Sequence, residues 1–276
     1  MGRGALLVML TVVAGCASTP GDDPLVWSDD VVRSREREQG DVVEVARFST
    51  LQPDATLVPW EPWEILRGNT PTDYRIAEIE GEGALEAVGR EGGSGMWREL
   101  RVDPQRTPIL EWRWRVPPPA AGEPPLSVSS RKSPMARLSL AFHGDTSKLD
   151  FEDRTKLRIA NVLTVHGLPY ATLIYVWMVD VPVNTVIHST HTDRVRLLVV
   201  ESGTEHVDQW VSIRRNVVED FRRAYGEIPG DIVGVGLMTD FGDDGSTRRT
   251  YYGDISFRAP GGHSNCCSAG DGQAPR

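Results

Sequence analysis

The stretch "ILEWRWRV" (109–116) places Trp112, Trp114 and Val116 on one side of an extended chain and Glu111, Arg113 and Arg115 on the other. A helix would scatter these residues around its circumference, so the period of two identifies a strand with one dry and one wet face, as antiparallel sheets have. The pattern recurs in "ARLSLAFH" (136–143), where Ala136, Leu138, Leu140 and Phe142 alternate with Arg137, Ser139, Ala141 and His143. Further strand-like runs stand at 42–48, 74–80, 84–90, 94–102, 171–179, 194–200, 231–239 and 250–257, separated by Gly, Pro, Asn and Asp. About ten short strands with few helices predict a mainly β chain, an antiparallel β-sandwich of jelly-roll type, in preference to a βαβ repeat.

One segment departs from the pattern. "QWVSIRRNVVEDFRRAYG" (209–226) spaces Trp210, Ile213, Val217 and Phe221 as a helix does and ends on Tyr225-Gly226. This predicts one amphipathic helix near 209–225 packed on the sandwich, with Gly226 as its stop. A weaker helical turn is predicted within "DFEDRTKLRIAN" (150–161). The acidic stretch "TDFGDDGSTRRTYYGDISF" (239–257) reads as the turn and second strand of a closing hairpin, since aspartate and glycine are what such a turn requires.

The ends supply an address. Arg3, an apolar run over 5–14 and a small residue before Cys16 make residues 1–15 a secretory signal peptide. "VAGC" (13–16) resembles the bacterial lipobox, which implies that Cys16 becomes the first mature residue and carries lipid. Several acyl chains at one cysteine suffice for stable anchoring without a membrane span. Residues 16–40, with the charged run "RSREREQGD" (33–41), read as a tether, 41–258 as the folded domain, and 259–276 as a disordered tail. Alanine after Cys16 in place of aspartate points to the periplasmic face of an outer membrane, where the host has one.

A net charge of −9 argues against polyanionic partners such as nucleic acid, and 39% hydrophobic residues suffice for a core. Cys266 and Cys267 are adjacent in the tail, so they imply no disulfide framework.

Motifs for chemistry are sparse. "GGSGM" (92–96) lacks the final glycine of a nucleophile elbow, and "DFG" (240–242) stands without any other kinase element. "HSTHTD" (188–193) offers two imidazoles and a carboxylate, but in a connector where i and i+3 rings do not converge on one ion. Asp145, Asp150, Glu152 and Asp153 crowd one region in which paired acids for glycoside hydrolysis would fit; a charge run is equally a solvated surface. Among eight tryptophans, Trp60 and Trp63 in "PWEPWE" (59–64) sit in a proline-punctuated loop and are the candidate ligand-facing aromatics. The loop at 240–245 fails the EF-hand pattern because Gly242 and Tyr251 occupy ligand positions. Asp240, Asp244 and Asp254 are nevertheless the candidate ligands of a structural Ca2+, and the alternative is a metal-free turn kept solvated by its acids.

"TDYRI" (72–76), "PILEWRWRV" (108–116), "VVESG" (199–203), "QWVSIRRNVVEDFRRAYGEIP" (209–229) and "GVGLMTDFGDDGSTRRTYYGDISF" (234–257), in this order, resemble a secreted bacterial family known as domain of unknown function 3047. The resemblance covers about residues 45–258 and brings no catalytic residues with it. Where that family's loop reads "TDTDNTG", this chain has "TDFGDDG", so Gly242 replaces a potential ligand. Tyr252, Asp254 and Ile255 also resemble the last-strand pattern of galactose-binding-like jelly rolls, in which the aspartate helps hold structural calcium.

These readings converge on a lipid-anchored cell-envelope protein whose sandwich binds glycan, peptidoglycan or another envelope component without catalysis. Two alternatives stand beside it. A carboxylate-dependent hydrolase of envelope polysaccharide would show a cleft with two acids, one of raised pKa. A structural assembly protein would show a broad flat apolar patch. Cys16→Ser is expected to move the protein from the membrane fraction to the soluble fraction; an unchanged membrane fraction would sink the lipidation.

Overall fold

The computed structural model describes residues 29–63, 71–89, 94–122, 134–156, 169–190, 192–239 and 247–261. Cys16, the expected signal peptide at 1–15, Asp240, Asp244 and the cysteine pair lie outside them. Two sheets form a sandwich. The first runs β11 (Val211–Asn216), β6 (Ile109–Arg115), β13 (Arg248–Arg258), β4 (Glu82–Gly89), β3 (Asp73–Ile79), and β1 (Val42–Ala46) pairs with the C-terminal half of β13. The second runs β2 (Glu61–Trp63), β5 (Gly95–Val102), β12 (Ile232–Met238), β7 (Ala136–Phe142), β8 (Ala171–Met178), β10 (Val195–Ser202), β9 (Val186–His188). Every pairing is antiparallel except β8 with β10. The mainly β sandwich expected from the alternation is the fold observed.

The inward faces are those the period of two selects. Trp112, Trp114 and Val116 are buried, and so are Ala136, Leu138, Leu140 and Phe142. On the wet face, Arg113 pairs with Glu82, Arg115 with Glu80 and Asp208, and Glu111 with Arg214 and Arg258. Such exposed pairs contribute little individually, but they keep the outer face polar.

Two expectations are corrected. The helix occupies only α3 (Val217–Tyr225); residues 211–216 form β11, which completes the ladder on the edge of β6. Val211-Ser212-Ile213-Arg214 satisfies a period of two as well as a helical spacing, and an open strand edge decides between them. The Asn216 side chain then accepts from the N–H groups of Val218 and Glu219 at 3.1 and 3.3 Å, starting the helix, and Gly226 ends it at φ 72°. The predicted turn near 150–161 is present as α2 (151–156).

The second correction concerns 231–257. β12 and β13 are not a hairpin: β12 lies between β5 and β7 in one sheet, and β13 lies in the other between β6 and β4. Each is saturated by two neighbours, so the chain between them crosses from sheet to sheet. Tyr252 bridges the gap by donating to the Met238 carbonyl at 2.7 Å.

The folded unit also begins earlier than position 41. In α1 (Asp29–Ser34), Val32 is buried against Trp97, Ala141 and Val233 on the outer face of the second sheet. Arg37 and Arg101 both reach the Asp231 carboxylate, at 2.9 and 2.7 Å, and Arg35 pairs with Glu99. Twelve residues of the expected tether, 29–40, are thus described as part of the domain.

Trp97 lies directly over Gly234, where an added Cβ would come within 1.8 Å of the indole. Gly234→Ala must displace that ring from a close-packed face, and a loss of about 1–3 kcal/mol is expected in urea unfolding. Unfolding indistinguishable from wild type would refute the packing.

Candidate functional site

Of the residues singled out in the sequence, Trp60, Trp63 and Asp254 take separate roles. Trp60 is 6% exposed and stacks near Phe48, with ring centroids 5.7 Å apart, as part of the inter-sheet core. Trp63 lies on the outer face of the second sheet, half-buried, with its ring 5.3 Å from that of Trp97. Proline did not keep Trp60 in solvent: the turn before β2 swings it beneath the edge of the sheet. Asp254 sits in a bulge of β13, next to Gly253, whose Cα faces the Arg113 side chain. Its two oxygens accept from the Ser49 N–H at 2.8 Å and the Ser49 hydroxyl at 2.6 Å. Asp254 therefore ties the 3-10 turn Phe48–Thr50 to the last strand. Among the described residues, no group of three His, Cys, Asp or Glu is placed to hold a metal ion. His188 is on β9, and His191 lies outside the described residues.

A different group of residues comes together at one end of the second sheet. A cavity of about 790 Å³ is lined from five directions. The loop after β7 supplies His143 to Asp145 with Lys148 and Leu149, the start of α2 supplies Asp150 and Asp153, and the approach to β8 supplies Tyr170. Arg194 comes from the start of β10, and Glu227 to Gly230 from the link between α3 and β12.

Arg194 organises this end. Its guanidinium stands 4.1 Å from the centre of the Tyr170 ring and 5.0 Å from that of Tyr225. It donates from Nε to the Tyr170 carbonyl at 3.0 Å and from Nη1 to Glu227 at 3.1 Å. Tyr170 lies against Gly144, where a Cβ would fall 2.3 Å from the ring, and donates its hydroxyl proton to Glu227 at 2.7 Å. Cation–π contact on two aromatic faces and a hydrogen-bonded carboxylate hold the guanidinium in one orientation.

The carboxyl groups are pushed in opposite directions. Burial opposes ionisation of Glu227, yet the hydrogen bonds from Tyr170 and Arg194 and the Arg194 charge outweigh it and hold the carboxyl below its ordinary range. Asp153 goes the other way: burial, then the neighbouring charges of Asp150 and Asp193, raise it against the pull of Arg194 and Lys156. Tyr170 is pushed up to about 12, by burial first and by its bond to Glu227 second. Asp145 is held low by the Ser147 hydroxyl and N–H. Asp153 is only 9% exposed, and no hydrogen bond reaches its carboxylate among the described residues. Opposed shifts in one cavity mark a place where acid, base or ligand chemistry is poised.

Asp145, Asp150 and Asp153 belong to the acidic run that stood out in the sequence. Tyr170, Arg194 and Glu227 carried no signal there, because each is an ordinary residue near a strand or helix end that gains meaning only from the other two.

Residues 58–256 match the family described as "Protein of unknown function (DUF3047)", and the chain belongs to that family. No curated protein matches it. Among solved structures, it is similar to a family 11 carbohydrate-binding module of a Clostridium thermocellum cellulosomal cellulase, at 9% identity and TM-score 0.40, over 80% of this chain and 96% of that one. A family 11 carbohydrate-binding module from Clostridium thermocellum in complex with a β-1,3-1,4-mixed-linked tetrasaccharide gives 11% identity and 0.37, over 76% and 94%. A family 12 xyloglucanase from Bacillus licheniformis gives 6% and 0.36, over 73% and 99%. Likeness of this degree carries no argument about ligand or reaction.

The raised Asp153 pKa carries a stability cost of definite sign. Folding makes the group easier to protonate, so the ionised form opposes folding at neutral pH and the penalty disappears below the carboxylate range. Asp153→Asn is expected to raise Tm by a few degrees at pH 7, with the gain fading as the pH falls to about 4. A gain independent of pH would refute this origin.

Proposed function

We propose that this member of the family is a cell-envelope lipoprotein, anchored through Cys16, whose sandwich binds glycan in the cavity around Arg194. The supporting observation is the cavity itself: open, lined by fixed charged groups, and large enough for a sugar unit. A polyol needs acceptors and donors held at fixed angles, and the Arg194–Glu227 pair with the unpaired Asp153 supplies both kinds. The signal peptide and lipobox support the envelope address, which puts peptidoglycan and envelope polysaccharides within reach.

Asp153 and Glu227 favour one second reading. A buried carboxyl raised in pKa beside one held ionised is the electrostatic arrangement that glycoside hydrolysis uses, with Asp153 as acid and Glu227 as its charged partner. The two readings separate on turnover: a binder releases no reducing ends from any glycan it retains.

Screening the full chain against glycans and peptidoglycan fragments is expected to find retained ligands. Arg194→Lys, which keeps the charge but loses the planar fork, is expected to weaken them about tenfold. Retention that is unchanged in Arg194→Lys would remove the site from the cavity. Release of reducing ends that falls about 100-fold or more in both Asp153→Asn and Glu227→Gln would establish the hydrolase instead.

A further inference from the structure

The cavity is short of positive charge. Lys148 is placed against Asp145, with Nζ 3.9 Å from Oδ2, and Arg194 is engaged by Glu227. Setting those two pairs aside leaves Asp150 and Asp153 among the lining carboxylates, with Asp193 adding a third negative charge nearby. Asp150 is partly satisfied, because it accepts the Asp153 N–H at 2.7 Å. Asp153 is 9% exposed and receives no hydrogen bond among the described residues, so its carboxylate turns to the cavity without a partner. A native interior seldom leaves such a group unsatisfied beside a cavity unless a ligand completes it.

We infer that the cavity selects a glycan bearing a free amino group, whose ammonium pairs with Asp153. The inference rests on the reading of the cavity as a glycan site and names the sugar class it takes. N-acetylation removes the charge and adds bulk at the same atom, so an acetylated sugar presents a neutral amide to an uncompensated carboxylate and forfeits the attraction.

The expected pH dependence follows from the groups that face Asp153. Asp150 and Lys156 come from its own helix, Asp193 and Arg194 from the start of β10, and His143, Asp145, Lys148, Tyr170 and Glu227 from the other walls. Burial, and after it the negative neighbours, keep Asp153 protonated to a higher pH than an ordinary aspartate, which weakens binding in acid. Binding strengthens as the pH rises through that carboxyl's pKa and falls again as the sugar ammonium loses its proton.

Isothermal titration of the full chain with a β-1,4-linked glucosamine tetramer and its N-acetylated counterpart tests this. The free amine is expected to bind about tenfold more tightly. Asp153→Asn should bring the ratio to near one, Asp153→Glu should keep most of it, and Glu152→Gln, an exposed change on the same helix, should leave it intact. A folded Asp153→Asn that retains the preference overturns the inference, as does equal affinity for the two tetramers, although the glycan reading survives both. Binding of neither tetramer removes the inference, and the glycan reading falls with it only if the wider glycan screen is also empty. Ca2+ binding that is abolished by Asp153→Asn and competes with the sugar would overturn the inference in favour of a metal.

Discussion

Trp112 and Trp114 on β6 meet Tyr175 and Trp177 on β8 across the space between the sheets, with ring centroids 5.2 and 6.3 Å apart, and the rest of the structure depends on this layer. Trp112 and Trp114 are themselves edge to face at 5.3 Å. Aromatic pairs in such geometries add about 0.5–1.5 kcal/mol each beyond the area they bury. A slip of one residue in β6 would replace the indoles with Glu111, Arg113 and Arg115, so the register is held by the cost of burying charge.

The same layer reaches the candidate site through a buried polar contact. Tyr175 donates to Asp220 at 3.1 Å, and Arg215 donates to the same carboxylate from Nε at 2.8 Å and again from Nη2. Asp220 is on α3, facing the core beside Phe221, so the first turn of the helix is pinned to β8 and β11. Burial and the Asp220 charge keep the Tyr175 proton in place far above the ordinary range, which preserves the donor. Removing one member would strand the others without a partner, the expensive case for a buried ion pair. The helix then stops at Gly226, and the next residue is Glu227 in the cavity wall. The position of an acid in the site thus follows from how the core fixes a helix.

Strand existence and facing were legible because they are local: alternation at 109–116 and 136–143 needs only the geometry of an extended chain. The predicted strand at 171–179 starts where β8 starts and ends one residue beyond it. Where two local rules coincide, as at 211–216, the sequence was ambiguous, and the free edge of β6 decided. The supposed hairpin at 231–257 had suitable turn residues, but a turn composition does not reveal whether the strands it joins share a sheet. Trp60 failed as an exposed residue for a similar reason, since burial depends on what packs above it.

The residues alone determined that this chain is mainly β, that its tryptophan-bearing strand has one dry face, and that it belongs with its family. Each of these is a property of neighbours in the chain. Which carboxylates matter was decided only by the tertiary structure, because burial and opposed charges arise when segments spread from His143 to Gly230 close around Arg194. Asp150 and Asp153 differ by three places in the sequence and look alike there; in the fold, one is bonded and the other faces an acidic cavity with no hydrogen-bond partner among the described residues.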